Sequence, residues 1–173
     1  MNQPLSLRVI LIVLALSVLL LCAGRASATE ISGMIPSTMT IMDDSELKGD
    51  VTCTVSNAPC ILIAASHVKL ELNGFTMTGQ ADANTACGGA AVGPERGIDV
   101  EQQSDVAIRG PGVVQRFRGA GIFLNNSTGV TVKGVTLSTN CLSGILVGGG
   151  SGHELTGNVS VRNGNGSNPC GGI

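Results

Sequence analysis

The chain has 173 residues, with 10 Lys and Arg against 12 Asp and Glu, a formal net charge of −2, three Phe and neither Trp nor Tyr. Proteins that track nucleic acid present a basic stripe interleaved with stacking aromatics, so that class of partner is excluded. The 25 Gly, spread among Val, Ile and Thr, suit short strands joined by tight turns, and no long stretch keeps helical spacing.

Residues 1–28 have the form of a secretory signal peptide: Arg8, an apolar core from Val9 to Leu21, then Ala26-Ser27-Ala28 as a small-residue cleavage site. That core is shorter than the roughly 20 residues a spanning helix needs, so no stable membrane span is expected. Cleavage after Ala28 removes two Arg and no acid, leaving a net charge of −4 on a secreted chain, periplasmic or extracellular, in an oxidising compartment.

Residues 29–48 are loosely patterned and read as an N-terminal cap over the first rung of strands. Asp43, Asp44 and Glu46 within it raise the question of Ca²⁺, but the loop spacing of a calcium motif is missing and a solvated turn is the plainer reading. No cofactor is expected. DVTCTV and CILIAA are strands on either side of SNAP, so Cys53 and Cys60 flank one turn and point to a local disulfide; neither a CxxC knuckle nor a His at ligand spacing suggests a metal. In HVKLELNG, Val68, Leu70 and Leu72 alternate inward and His67 is a turn residue. Residues 80–96 interrupt the pattern as an inserted loop that carries Cys87.

From Gly97 one short pattern recurs. Gly-Ile pairs stand at Gly97-Ile98, Gly121-Ile122 and Gly144-Ile145, 24 and then 23 residues apart, with a fourth at Gly172-Ile173. Each opens an alternating run (GIDVEQ, GIFLNN, GILVGG), and a second run follows at the same spacing (DVAIRG, GVTVKG, GHELTG). A period near 23 residues means a repeat architecture, and hairpins do not return the same position at that interval. Stacked coils do, with Ile98, Ile122 and Ile145 in one inward column, Val100, Leu124 and Val147 in a second, and Ile108, Val132 and Leu155 in a third. A third segment, VTLSTN and then NVSVRN, shifts its apolar positions by one residue without an evident reason, while Asn140 and Asn163 are expected to stack in a turn and bond backbone.

These repeats, with SELKGDVTCTVSNAPCILIAASHVKLELNGFTMTG upstream, resemble the right-handed parallel β-helix repeat proteins of the pectin lyase-like superfamily over roughly residues 45–173. The resemblance implies an all-β solenoid of coils about 23 residues long, spanning 49–173 and incomplete at its C-terminal end, and secreted bacterial-type members. It implies carbohydrate as the substrate class, in lyases through acidic side chains and Ca²⁺ with a basic residue, in hydrolases through paired carboxylates. The paired Asp, the His and the Arg-x-Lys of the pectin hydrolases have no counterparts here, so no catalytic residue carries over.

The outward face of the Gly-Ile strands is the expected place for a ligand. Asp99 and Glu101 share that face, Asn125 stacks on Glu101, Phe123 is an outward apolar side chain, and Arg116 and Arg118 sit in nearby turns where they could grip an acidic sugar or simply be solvated. Ile122→Ala is accordingly expected to cost far more stability than Phe123→Ala. Cys141 and Cys170 fall near one turn on adjacent coils, whose spacing of about 4.8 Å lies within the Cα range of a disulfide, and form the second expected pair. The last coil is opened at Gly172-Ile173 without an evident lid, which predicts end-to-end self-association or a longer parent chain. Two readings stay open: a non-catalytic secreted protein that binds polysaccharide or a cell-surface glycan, or serves as a surface component; and a fragment of a lyase, hydrolase or epimerase whose catalytic coils lie elsewhere.

Overall fold

The computed structural model describes residues 27–81, 91–164 and 172. Nearly all of the expected leader, Cys87 with most of the inserted loop, and Cys170 lie outside the described residues. Within them the chain is all-β and contains no helix. In chain order the strands are β1 (Thr29–Ile35), β2 (Met39–Ile41), β3 (Ser45–Cys53), β4 (Ile61–Ile63), β5 (Lys69–Glu71), β6 (Thr76–Thr78), β7 (Ile98–Glu101), β8 (Ala107–Gln115), β9 (Ile122–Asn125), β10 (Ser127–Thr128), β11 (Thr131–Ser138), β12 (Ile145–Val147), β13 (Gly150–Ser151), β14 (Glu154–Thr156) and β15 (Val159–Val161).

Two parallel sheets take almost all of them. One has five strands in the order β2-β4-β7-β9-β12; the other has eight, along β1-β3-β5-β8-β11-β14, with β6 and β15 extending the rows in which β3, β8 and β11 continue. The chain alternates between the two sheets, and each return adds a strand beside the one laid down a period earlier. Parallel neighbours need a crossover connection of a dozen or more residues, and here the other sheet supplies it. Residues 29–48, expected as a cap, are themselves strands of this system: β1 is the edge of the larger sheet and β2 of the smaller.

The registers align like positions of the repeat. Met39, Ile61, Ile98, Ile122 and Ile145 form one continuous column, and Ile41, Ile63, Val100, Leu124 and Val147 form the next. Leu70, Ile108, Val132 and Leu155 line up across the larger sheet. Most of these side chains are buried; Met39 and Leu155, near the two ends of the stack, are half-buried and Val147 is exposed. Full burial of one such Ile stabilises by about 1.5–3 kcal/mol.

Corners between strands are made by residues with left-handed backbone. Gln102, Asn126 and Gly149 follow successive strands of the smaller sheet, and His67, Asp105, Gly129 and Gly152 open the second run of each repeat. His67 is thus a turn residue, with its Nδ1 3.6 Å from Asp105 Oδ2. Gly150 has a second reason to be glycine, since a Cβ there would run into the Ser127 carbonyl across the β10–β13 pair.

The shift in the third segment has an explanation. Register is kept, Thr136 opposite Val159, Leu137 opposite Ser160 and Ser138 opposite Val161, so the residue types invert while the backbone does not slip. Ser160 takes the inward place and Val159 and Val161 turn out, 54% and 44% exposed. Asparagines bind these rounds together. The Asn140 Oδ1 accepts the Phe117 N–H at 3.0 Å, and its Nδ2 donates to the Val114 carbonyl at 3.1 Å and to Asn163 Oδ1 at 3.0 Å. Asn163 repeats the arrangement one period on, accepting from the Asn140 N–H and donating to the Leu137 carbonyl.

Cys53 and Cys60 are bonded, with Cα atoms 5.8 Å apart, as their flanking of one turn suggested. Cys141 is also disulfide-bonded, to a partner outside the described residues. The Gly172 carbonyl accepts the Gly144 N–H at 3.0 Å, the place that the Ser143 carbonyl takes toward the Gly121 N–H one round earlier, so Gly172 stands one residue out of step with the repeat; Ile173 lies outside the described residues.

Ile122→Ala is expected to lower stability by about 2–5 kcal/mol, as core truncations do. Asn140→Ala should cost about 2–4 kcal/mol, because it strands a buried N–H and a buried carbonyl at once. Urea denaturation of both variants checks this; a loss below about 1 kcal/mol in either would mean that columns or ladder do not hold the rounds together.

Candidate functional site

The side chains of β7 alternate as expected, Ile98 and Val100 inward, Asp99 and Glu101 outward, but outward does not mean open. By register Asp99 lies between Leu62 and Phe123. Its side chain is 6% exposed and Phe123 is 9% exposed. Both therefore depart from the accessible face expected for them. The cause is Arg96, which folds back over the strand: its guanidinium carbon lies 3.9 Å from the centre of the Phe123 ring and its Nη1 donates to Asp99 Oδ2 at 2.6 Å. A cation over an aromatic face is attracted by the ring's negative quadrupole, and desolvation strengthens that attraction. The expected gap between Ile122→Ala and Phe123→Ala closes accordingly, since both remove buried surface.

Asp99 Oδ1 is buried and accepts no hydrogen bond. Burial pushes the Asp99 carboxyl above its ordinary value, against the pull of Arg96. Glu95 has the opposite balance. Arg118 forks onto it, Nε to Oε2 and Nη2 to Oε1, both at 2.6 Å, and the Asn57 N–H adds a third bond at 3.0 Å. These donors hold its carboxyl below the usual range despite its burial. Arg118, expected to be available for a sugar carboxylate, is thus already bound to one. Sequence reading missed Glu95, and the only signal was its distance of 23 residues from Arg118, one period of the repeat.

The remaining expected residues lie apart from this closed cluster. Asn125 stands beside Glu101 as predicted, its Nδ2 3.4 Å from Glu101 Oε1 at the margin of a hydrogen bond. Arg116 points the other way and donates through Nε to the Ala81 carbonyl at 2.7 Å. The Asp99 cluster has no room for substrate, and what it does is fasten residues 91–96 to the smaller sheet.

Open space occurs instead on the outward face of the larger sheet. One groove of about 690 Å³ is lined by Glu71, Arg109, Pro111, Thr131, Lys133 and Glu154. It follows the bend where β8 and β11 change register, between Lys133 and Val135, at a point where a Cβ on Gly110 would strike the Gly134 carbonyl. Glu71, Arg109 and Lys133 are register neighbours on β5, β8 and β11. Glu71 leans toward Lys69 at 3.5 Å, while Arg109 and Lys133 are exposed and form no ion pair among the described residues. A second groove, of about 480 Å³, runs beside Gln115, Ser138 and Val161. Among the described residues no three His, Cys, Asp or Glu side chains converge as metal ligands would. Nor is any helix there long and apolar enough to cross a membrane.

No family model, curated protein or solved structure matches the chain.

The two buried carboxylates should respond to pH with opposite signs. Glu95, with its lowered pKa, adds stability that is complete above the ordinary carboxylate pKa and lost as pH falls through its folded value. Asp99, with its raised pKa, favours folding below its ordinary value and loses that contribution as pH rises through its folded one. Glu95→Gln is therefore expected to destabilise at pH 7 and to converge with the parent at low pH. Asp99→Asn, which keeps an acceptor for Arg96, should gain on the parent as pH rises above about 4. Denaturation midpoints between about pH 3 and 8 decide the matter; parallel curves for Asp99→Asn and parent would remove the burial argument.

Proposed function

We propose that this chain is a secreted right-handed parallel β-helix, of the pectin lyase-like kind its repeats resemble, that binds polysaccharide without cleaving it. The alternation between two parallel sheets with like positions in register supports the β-helix. A disulfide across a short turn supports an oxidising compartment. The observation that carries the binding reading is the pair Arg109 and Lys133, one strand apart, exposed, free of carboxylate partners among the described residues, and facing an open groove that crosses several strands.

The character of that groove favours an acidic glycan. Neutral sugars are commonly held by an aromatic ring against one face, but Phe117 and Phe123 are buried and Phe75 is half-buried among core residues, leaving no exposed ring. What the middle of the groove offers is the unpaired cations Arg109 and Lys133 with the Thr131 hydroxyl, suited to carboxylates on uronate units, while Glu71, paired with Lys69, and Glu154 stand at its two sides. Catalysis is disfavoured by spacing. Glu71 and Glu154 both line the groove, yet they belong to β5 and β14, three strand steps apart. At about 4.8 Å a step that is roughly 14 Å, beyond the 5–9.5 Å at which paired carboxylates share acid and base work on a glycosidic bond.

Calorimetric titration with a uronate-containing oligosaccharide, with and without Ca²⁺, tests the proposal alongside an assay for released or unsaturated ends. Binding without cleavage is expected, with Arg109→Ala and Lys133→Ala each weakening it about tenfold. Turnover, or affinity indifferent to both substitutions, would refute it.

A further inference from the structure

A different corner of the larger sheet carries a second inference. Gln115, Ser138 and Val161 are register neighbours, so the residues that follow them, Arg116, Thr139 and Arg162, stack at one corner in three successive rounds. All three have left-handed backbone, with φ of 59°, 53° and 55°. Side chains with a Cβ disfavour that conformation, and a β-branched residue such as Thr139 is a marked outlier in it. The place before Arg116 in this column is Gly79, whose backbone is not left-handed, so the strain starts at Arg116 and is kept at Thr139 and Arg162 without glycine, whereas the other stacked corners turn to glycine in their later rounds, at Gly149 and at Gly129 and Gly152. Strain kept in consecutive rounds is a reason to look for function in the side chains it presents.

Those side chains meet the demands of an anion site. Arg116, Thr139 and Arg162 line the groove of about 480 Å³ with Gln115, Ser138 and Val161. The Arg116 Nε is held by the Ala81 carbonyl, which fixes the guanidinium plane and leaves its terminal nitrogens as donors. Neither Arg116 nor Arg162 has a carboxylate within ion-pair distance among the described residues, in contrast to Arg96 and Arg118. Two strand steps separate the two arginines, about 9–10 Å along the stack.

We infer that the Arg116–Thr139–Arg162 corner binds an extended polyanion, two of whose carboxylate, sulfate or phosphate groups engage the two guanidinium groups at once. This site is separate from the Arg109–Lys133 groove and stands whether or not that groove binds glycan.

The test is calorimetric titration of the full chain with three probes: a uronate oligosaccharide, a sulfated oligosaccharide and a short inorganic polyphosphate. At least one is expected to bind at low ionic strength, with affinity falling steeply as salt rises and screens exposed charge; the probe that binds identifies the anionic group. Arg116→Gln with Arg162→Gln should weaken that binding at least about tenfold. Arg162→Gln alone, at an exposed position, should weaken it measurably without loss of fold, which covers the case in which the double variant is misfolded. Thr139→Gly should raise the thermal midpoint by relieving the corner. Binding of none of the probes, or a loss that follows Arg109→Ala with Lys133→Ala while the arginine variants bind normally, would overturn the inference.

Discussion

Parallel backbone pairing between like positions of successive repeats is the constraint on which the rest depends. Because each strand is bonded to the strand one period away, residues such as Ile61, Ile98 and Ile122 have no choice of neighbour: each contacts the copy before and the copy after. One apolar residue out of place then costs two contacts rather than one. Inward positions are consequently held to apolar residues over most of the stack, while outward positions, whose neighbours are also fixed but whose surroundings are water, are free to differ between rounds. Any chemical character the molecule has must be written in those outward columns.

The two sheets write it differently. On the smaller sheet Arg96 covers Asp99 and Phe123, the middle of the outward column that runs from Leu62 to Leu146, and Glu95 ties the same segment to Arg118 and to the turn closed by the Cys53–Cys60 disulfide. Three separate stretches of chain are thereby fastened at one place. The cost is an Asp99 oxygen left without a donor, and burial of a carboxylate is tolerable there only because Arg96 supplies the opposite charge. On the larger sheet none of the described residues folds back over Arg109 and Lys133, and these cations of β8 and β11 stay unpaired.

The features legible in the sequence were those that periodicity alone determines. The three inward columns up to the exposed Val147, the strand starts at the first three Gly-Ile pairs, the Asn140–Asn163 stack and the Cys53–Cys60 turn all follow from spacing and alternation, and the structure has each of them. Alternation also placed Asp99 and Phe123 outward correctly. It could not tell that outward was buried, because the cover comes from Arg96 in a segment with no repeat, and a non-periodic contact leaves no trace in a periodic pattern. Glu95 sits in that same non-repeating segment, where its distance of one period from Arg118 was the only trace of the pair. The grooves were illegible too, since they depend on the bend at Gly110 and Gly134, and the sequence shows two glycines there without showing which way the sheet turns.

Where corners are concerned, the repeat imposes geometry and leaves chemistry open. A corner needs one residue in the left-handed region, and glycine or asparagine meets that need at little strain. The chain uses them at Asn126, Gly129, Gly149 and Gly152, where the side chain has little else to do. A stack that spends Arg, Thr and Arg on the same backbone task gives up that ease three times over. The strain is distributed along a column rather than concentrated in one residue, and backbone pairing splints it: the Arg116 N–H donates to the Ser138 carbonyl and the Thr139 N–H to the Val161 carbonyl, both at 3.2 Å, while the Arg116 carbonyl accepts the Ala81 N–H at 2.7 Å. Parallel stacking thus supplies the rigidity that lets an unfavourable corner persist, and the same stacking sets the interval at which its charged side chains are displayed.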